Sequence, residues 1–178
     1  IKGFIETGCT ILSLGRLNKP YISTMLDAIR DFAKEHTTTN INLLIVGGYM
    51  QTNVQTKIDA MQGSNVRVFL LGELNPVPQN LFSLSDAAIA VSGCARICSR
   101  QGVPTITVDG NDLQGIGVLN YTTNNSIFRE DEPKFPIKKL LSDILLKKKY
   151  PKTEPIPETN LINYTVHDSL LDYKKQDR

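Results

Sequence analysis

The chain has 178 residues, a formal net charge of +2, three cysteines and two histidines. That length suits one domain with a tail, and a chain of this size hides about two thirds of its unfolded surface, enough for a sizeable core. The small net charge gives no ground for a nucleic-acid partner, no apolar run reaches the roughly 20 residues needed to span a bilayer, and an odd count of three cysteines fits a reducing cytoplasm better than a disulfide framework.

In chain order, the apolar run Cys9–Leu14 stops at Gly15 and predicts a buried strand. Ile22, Met25, Leu26, Ile29, Phe32 and Ala33 form one stripe, which predicts a helix over about 23–35. Ile41–Val46, stopped by Gly47-Gly48, is a second strand. Val54, Ile58 and Met61 recur at helical spacing, and Gly63 is placed to close that helix. Val66–Leu71 is a third strand ending at Gly72, followed by a stiff loop with Pro76 and Pro78 and a short helical piece, Gln79–Leu84. Asp86–Val91 predicts a fourth strand, stopped by Ser92-Gly93. A helix of barely two turns over Cys94–Gln101 ends at Gly102, with Pro104 beyond. Pro104–Val108 is a fifth strand, Asp109–Asp112 a turn cluster, and Gly117–Tyr121 a short sixth strand. Ile137, Leu140, Leu141, Ile144 and Leu145 mark a last domain helix. After Lys149, Pro151, Pro155 and Pro157 predict an extended linker, and 165–175 a tail helix.

Continuous apolar strands separated by helices predict a Rossmann-like parallel sheet of about six strands covered on both faces: one domain over 1–150, then a linker and helix over 151–178. Ligands of such sheets bind outside the carboxyl ends of the strands. Gly15, Gly47, Gly48, Gly72, Gly93 and Gly110 all gather there, although glycine also simply terminates strands.

The strongest chemical signal is Gly15-Arg16-Leu17 followed by Lys19 at the end of the first strand. Glycine lets the backbone turn close to a ligand, arginine offers two parallel donors, and lysine adds a point charge, a set that suits a diphosphate. A solvated turn would use the same residues. Ser92 and Gly93 precede a helix whose free N–H groups attract anions, while serine is equally a favoured N-cap. Gly72, Glu73 and Leu74 are placed to meet a nucleobase edge, or to form a plain exposed turn. Asp109 and Asp112 are explained by turn chemistry. Cys94 and Cys98 lack the further ligands of a zinc site, so no metal is expected. Neither histidine has the partners of a nucleophile relay, and no catalytic residue is assigned. Seven of the twenty basic residues lie between Lys134 and Lys152, where Asp143 is the only acid. That stretch reads as a core helix with solvated lysines, or as a peripheral contact with an anionic membrane.

Taken in order, these pieces resemble the C-terminal, donor-binding half of a GT-B glycosyltransferase of the group 1 type. The pieces are Gly15-Arg16-Leu17 with Lys19, Ile41–Val46 with Gly47-Gly48, Val68–Gly72 with its proline-containing loop, Phe82 through Asp86 to Ser92, and Gly102–Ile106, spread over 10–150. The resemblance implies a nucleotide diphosphate sugar as donor substrate, without cofactor or metal. Arg16 and Lys19 would neutralise the diphosphate, Gly72, Glu73 and Leu74 would flank the base, and Ser92-Gly93 would approach the sugar or phosphate, with Gly47 at the strand-end loop. It also implies that a glycan or lipid-linked acceptor binds an N-terminal domain upstream of Ile1, that the tail helix crosses back to that domain, and that the enzyme works in polysaccharide or cell-surface glycan assembly at the cytoplasmic side.

The chain departs from the family where a glutamate usually accepts hydrogen bonds from the ribose hydroxyls. Counting back from Gly102, that position is Ile97, and the neighbouring Arg96 has no acceptor. An acidic residue of many retaining members is also absent, with Ile89 near its place. A non-catalytic partner or regulatory module of the same fold, and an unrelated doubly wound enzyme that binds a phosphorylated ligand, are the alternative readings. A dinucleotide-binding dehydrogenase is disfavoured, because no G-x-G-x-x-G follows the first strand.

Overall fold

The computed structural model describes residues 8–61 and 64–156. Gly63, Pro157 and the 165–175 segment lie outside the described residues. Six strands form one sheet: β1 (Cys9–Leu14), β2 (Ile41–Val46), β3 (Val66–Leu70), β4 (Ala87–Ala90), β5 (Thr105–Val108) and β6 (Gly115–Val118). Their spatial order is β3-β2-β1-β4-β5-β6. Five are parallel, and β6 pairs antiparallel to β5.

That last pairing corrects the all-parallel expectation. The turn at Asp109–Gln114 is too short for a crossover helix, so the chain folds straight back and starts β6 at Gly115 rather than Gly117. The helices are α1 (Pro20–Glu35), α2 (Thr52–Asp59), α3 (Gln79–Leu84), α4 (Ser92–Arg100) and α5 (Ile137–Leu145). The start of α1 lies three residues before the expected start at Ser23, because proline is preset for the first helical position even without an apolar side chain to announce it. Likewise α4 begins at Ser92 rather than Cys94.

Strand residues alternate between two cores, as the two-residue period of a pleated strand requires. Ile11, Leu43, Ile45, Ile89 and Ile106 point to the face covered by α1, α2 and α5, where Phe32, Met25 and Leu141 are fully buried. Leu12, Leu14, Leu44 and Val46 point to the other face, against Leu81 and Phe82 of α3 and Cys98 of α4. Both faces are therefore apolar, which is why the strands read as unbroken hydrophobic runs. The lysine-rich stretch is a packed helix whose Asp143, 5% exposed, is paired with Lys147 at 2.8 Å and Lys149 at 3.1 Å.

The strand order reverses direction between β1 and β4. A crevice opens there at the carboxyl ends, because the connections from the two neighbouring strands leave toward opposite faces.

Candidate functional site

A cleft of about 600 Å³ occupies that crevice. Loops from four strands build it: Leu14–Arg16 and Lys19 after β1, Val46–Gly48 after β2, Glu73–Asn75 after β3, and Val91–Cys94 after β4. Eight of the nine expected site residues line it, namely Gly15, Arg16, Lys19, Gly47, Glu73, Leu74, Ser92 and Gly93. The ninth, Gly72, does not. It supports the wall from behind, its carbonyl accepting the Gly47 N–H at 2.8 Å, with φ 71° at a residue where no side chain would tolerate that turn cheaply.

The first three loops are stitched together through their backbones. Gly15 N–H donates to the Val46 carbonyl at 2.9 Å and Leu17 N–H to the Gly48 carbonyl at 2.8 Å. A Cβ on Gly47 would collide with the Gly15 carbonyl oxygen, so the two loops can meet only because that position has no side chain. Arg16 and Lys19 are consequently held on a rigid rim. Both are exposed, and no hydrogen bond or ion pair ties either side chain to another described residue. Two cations without carboxylate partners beside a crevice create a positive field over it.

Beneath Gly15 lie two buried hydroxyls, Ser13 Oγ and Tyr21 Oη, neither with a well-formed hydrogen bond. Burial pushes the Tyr21 pKa up, so the phenol stays protonated. Cys94, on the cleft wall, is likewise raised by burial and is therefore a thiol rather than a thiolate at neutral pH.

The fourth wall is the start of α4. Ser92 does not act as its N-cap. Val91 holds that position without a side-chain cap, and Ser92 takes φ 54°, a left-handed conformation uncommon for a residue with a side chain. The twist carries the Ser92 N–H away from the helix axis to the Ser126 carbonyl at 2.6 Å. The Gly93 and Cys94 N–H groups follow with no partner among the described residues, as the first donors of a helix do, and Gly93 has open space where a side chain would stand. Amides at a helix start, next to two cations, form an anion-binding arrangement.

The segment after Ser126 is held by a clamp remote in sequence, beginning with the Gly110 N–H to the Ile127 carbonyl at 2.9 Å. Asp109, 3% exposed, accepts the N–H groups of Asn111 at 2.7 Å and Arg129 at 2.7 Å. The Arg129 guanidinium reaches Asp112 at 2.9 Å and the Gly115 carbonyl at 3.1 Å, and Lys134 also pairs with Asp112 at 2.9 Å. Burial acts to raise the Asp109 pKa, but three backbone N–H donors outweigh it and hold the carboxyl below its ordinary value. Asp112 is driven well down by Lys134 and then Arg129. Glu132 falls to about 2, chiefly through the Thr123 hydroxyl. Turn chemistry at Asp109 and Asp112 was legible in the sequence, but their partner Arg129 was not, because nothing local links residues some twenty positions apart.

Sequence reasoning also passed over Tyr21, Asn75 and Cys94 as lining residues. Tyr21 follows Pro20 at the start of α1, so a helix placed three residues earlier would have put it on the cleft. Ile97 lines the same cleft and is 45% exposed. An aliphatic side chain thus stands where the family resemblance leads one to expect a carboxylate.

No protein-family model matches the chain, and no curated protein sequence matches it. Among solved structures, it is similar to UDP-GlcNAc 2-epimerase from Neisseria meningitidis bound to UDP-GlcNAc, at 18% identity and a TM-score of 0.52, over 90% of this chain and 45% of that one. A second likeness, at 16% identity and a TM-score of 0.46 over 79% of this chain and 91% of that one, is to the catalytic domain of cholesterol-alpha-glucosyltransferase from Helicobacter pylori. The first likeness shows the fold, a Rossmann-like α/β domain of the GT-B type. This chain spans less than half the length of that epimerase.

Proposed function

We propose that the chain is the donor-binding half of a glycosyltransferase that uses a nucleotide diphosphate sugar in polysaccharide or cell-surface glycan assembly. The observation that carries this reading is the meeting of Arg16, Lys19 and the free amides of Gly93 and Cys94 around one cleft at the β1/β4 reversal. The solved UDP-GlcNAc 2-epimerase of similar fold is bound to UDP-GlcNAc, which supports the reading.

In this reading the diphosphate lies between the Gly15 turn and the start of α4. Its leaving-group charge develops as the sugar–phosphate bond breaks. Donors fixed before the reaction then stabilise that charge without reorganising, which is the share of catalysis this half supplies. The acceptor, a glycan or lipid-linked glycan, binds mainly outside this domain, so the chain by itself binds donor but does not transfer sugar. No cofactor, metal or nucleic acid enters the scheme. A cytoplasmic setting, with the lysines of α5 toward an anionic membrane face, goes with it. Among the described residues no helix is long and apolar enough to cross a membrane.

Calorimetric titration with UDP, GDP and ADP tests the reading. Micromolar binding of one of them, weakened at least tenfold in Arg16→Ala, is the expected result, and absence of binding to all three defeats it.

Ile97 favours a second reading, a non-catalytic module of the same fold that serves as a partner or regulatory subunit. Assay of sugar transfer by the chain together with its candidate partners separates the two. Nucleotide binding without turnover in every combination selects the module.

A further inference from the structure

Tyr21 belongs to the core under α1, yet the thiols of Cys94 and Cys98, on α4, are among the neighbours of its hydroxyl. A Cβ placed on Gly15 would stand 3.0 Å from that hydroxyl and 4.0 Å from the Cys94 sulfur. Gly15, Tyr21 and Cys94 all line the cleft, so the three meet at its floor. Tyr21 is only 4% exposed, and its oxygen has no hydrogen-bond partner among the described residues. The same holds for Ser13 Oγ, a buried neighbour of the phenol on β1.

Folded proteins pair nearly all of their buried polar groups, because an unpaired donor has lost its bond to water and gained nothing in its place. Ser13 does not remove this cost. Two adjacent hydroxyls carry two protons, and a bond between them would use only one. The other neighbours are thiols, whose sulfur is a weak acceptor, and burial keeps the phenol and both thiols protonated. The phenol proton is therefore left facing a cleft whose rim cations and helix-start amides suit an anion. We propose that the Tyr21 hydroxyl is a ligand-binding donor, unsatisfied in the free protein and given to an anionic phosphoryl oxygen at the cleft floor, so that the free protein is less stable, and the ligand held more tightly, than with phenylalanine at this position. This rests on the reading of the cleft as a nucleotide diphosphate site.

A buried neutral donor and exposed cations act on the ligand differently. Attraction to Arg16 and Lys19 is long-range and screened by salt, whereas the hydroxyl acts across a single bond at a buried place where screening is weak. It also fixes position. The rim cations attract a phosphoryl group wherever it lies along them, but Tyr21 bonds it only beside Gly15.

The experiment is calorimetric titration of the full chain with pyrophosphate, UDP, GDP and ADP at low and high salt, as wild type, Tyr21→Phe and Arg16→Ala, with urea unfolding of each in the absence of ligand. Tyr21→Phe keeps the ring and removes only the hydroxyl. It should weaken pyrophosphate and the bound nucleotide about tenfold, the size of one hydrogen bond to a charged acceptor, and by the same factor at both salt concentrations. The loss in Arg16→Ala should instead shrink as salt rises. The urea midpoint of Tyr21→Phe should be unchanged or higher. The chain has six tyrosines and no tryptophan, so ligand binding should shift the tyrosine absorbance of the wild type to the red, and Tyr21→Phe should lack the shift. Unchanged affinity in Tyr21→Phe, or a lowered midpoint, overturns the assignment while leaving the diphosphate site standing. Failure of the wild type to bind any of these ligands overturns the site and the assignment together.

Discussion

The two sides of the cleft are built by opposite means. After β1, β2 and β3 the loops are joined backbone to backbone, through Gly15, Gly47 and Gly72, with no charged side chain in the joints. After β4 the wall is the start of α4, and the Ser126 carbonyl that receives the Ser92 N–H precedes a segment held by charge, where Asp109 and Asp112 grip Arg129 and Lys134. The glycine side keeps its cations free for a ligand because it spends none of them on structure. The ionic side makes its backbone geometry depend on the protonation of carboxylates. A site can therefore combine a wall indifferent to pH with one that is not.

The largest effect separating the sides is expected from Arg129→Ala. It removes the guanidinium that lies 2.9 Å from Asp112, 3.6 Å from buried Asp109 and 3.1 Å from the Gly115 carbonyl, which costs about 3 kcal/mol in urea unfolding, while the backbone N–H donors to Asp109 remain. Nucleotide affinity should fall with it, although Arg129 is not among the residues that line the cleft. An unchanged midpoint would mean that the clamp contributes nothing.

Gly47→Ala is next, at about 2 kcal/mol, because its Cβ meets backbone rather than a movable side chain. Gly48→Ala makes the sharper half of this pair. There the clash is with the far end of Glu73, which swings aside, so stability should change by less than about 0.5 kcal/mol. Equal losses for the two alanines would refute the distinction between stitched backbone and packed side chain.

Acid should act on the ionic side alone. Asp109, Asp112 and Glu132 hold pKa values below those of the unfolded chain, so the unfolded state binds more protons as pH falls. Their stabilisation is complete above the ordinary carboxylate range of about pH 4 and is lost as pH drops through the lowered values, near 2 for Glu132. Urea midpoints measured from pH 6 to pH 2.5 should decline, and Asp112→Asn should flatten the decline.

The smallest effect on stability belongs to Arg16→Ala. This exposed side chain has no partner among the described residues, so the midpoint should move by less than about 0.5 kcal/mol while pyrophosphate affinity drops. A marked loss of stability would show that Arg16 is structural.

Periodicity and strand-ending glycines were enough to place β1 to β5, both cores, and the rim from Gly15 to Lys19. Those features are local: a buried strand must be apolar along its length, and a turn toward a ligand must have a residue that permits it. The reversal of β6, the turn of Ser92 to φ 54° and the grip of Asp109 and Asp112 on Arg129 were decided by tertiary structure, because each depends on atoms brought together from distant positions. The meeting of Glu73 with Gly48 is of the same kind. Sequence alone could name both residues, but only the parallel register of β2 and β3 puts their loops side by side.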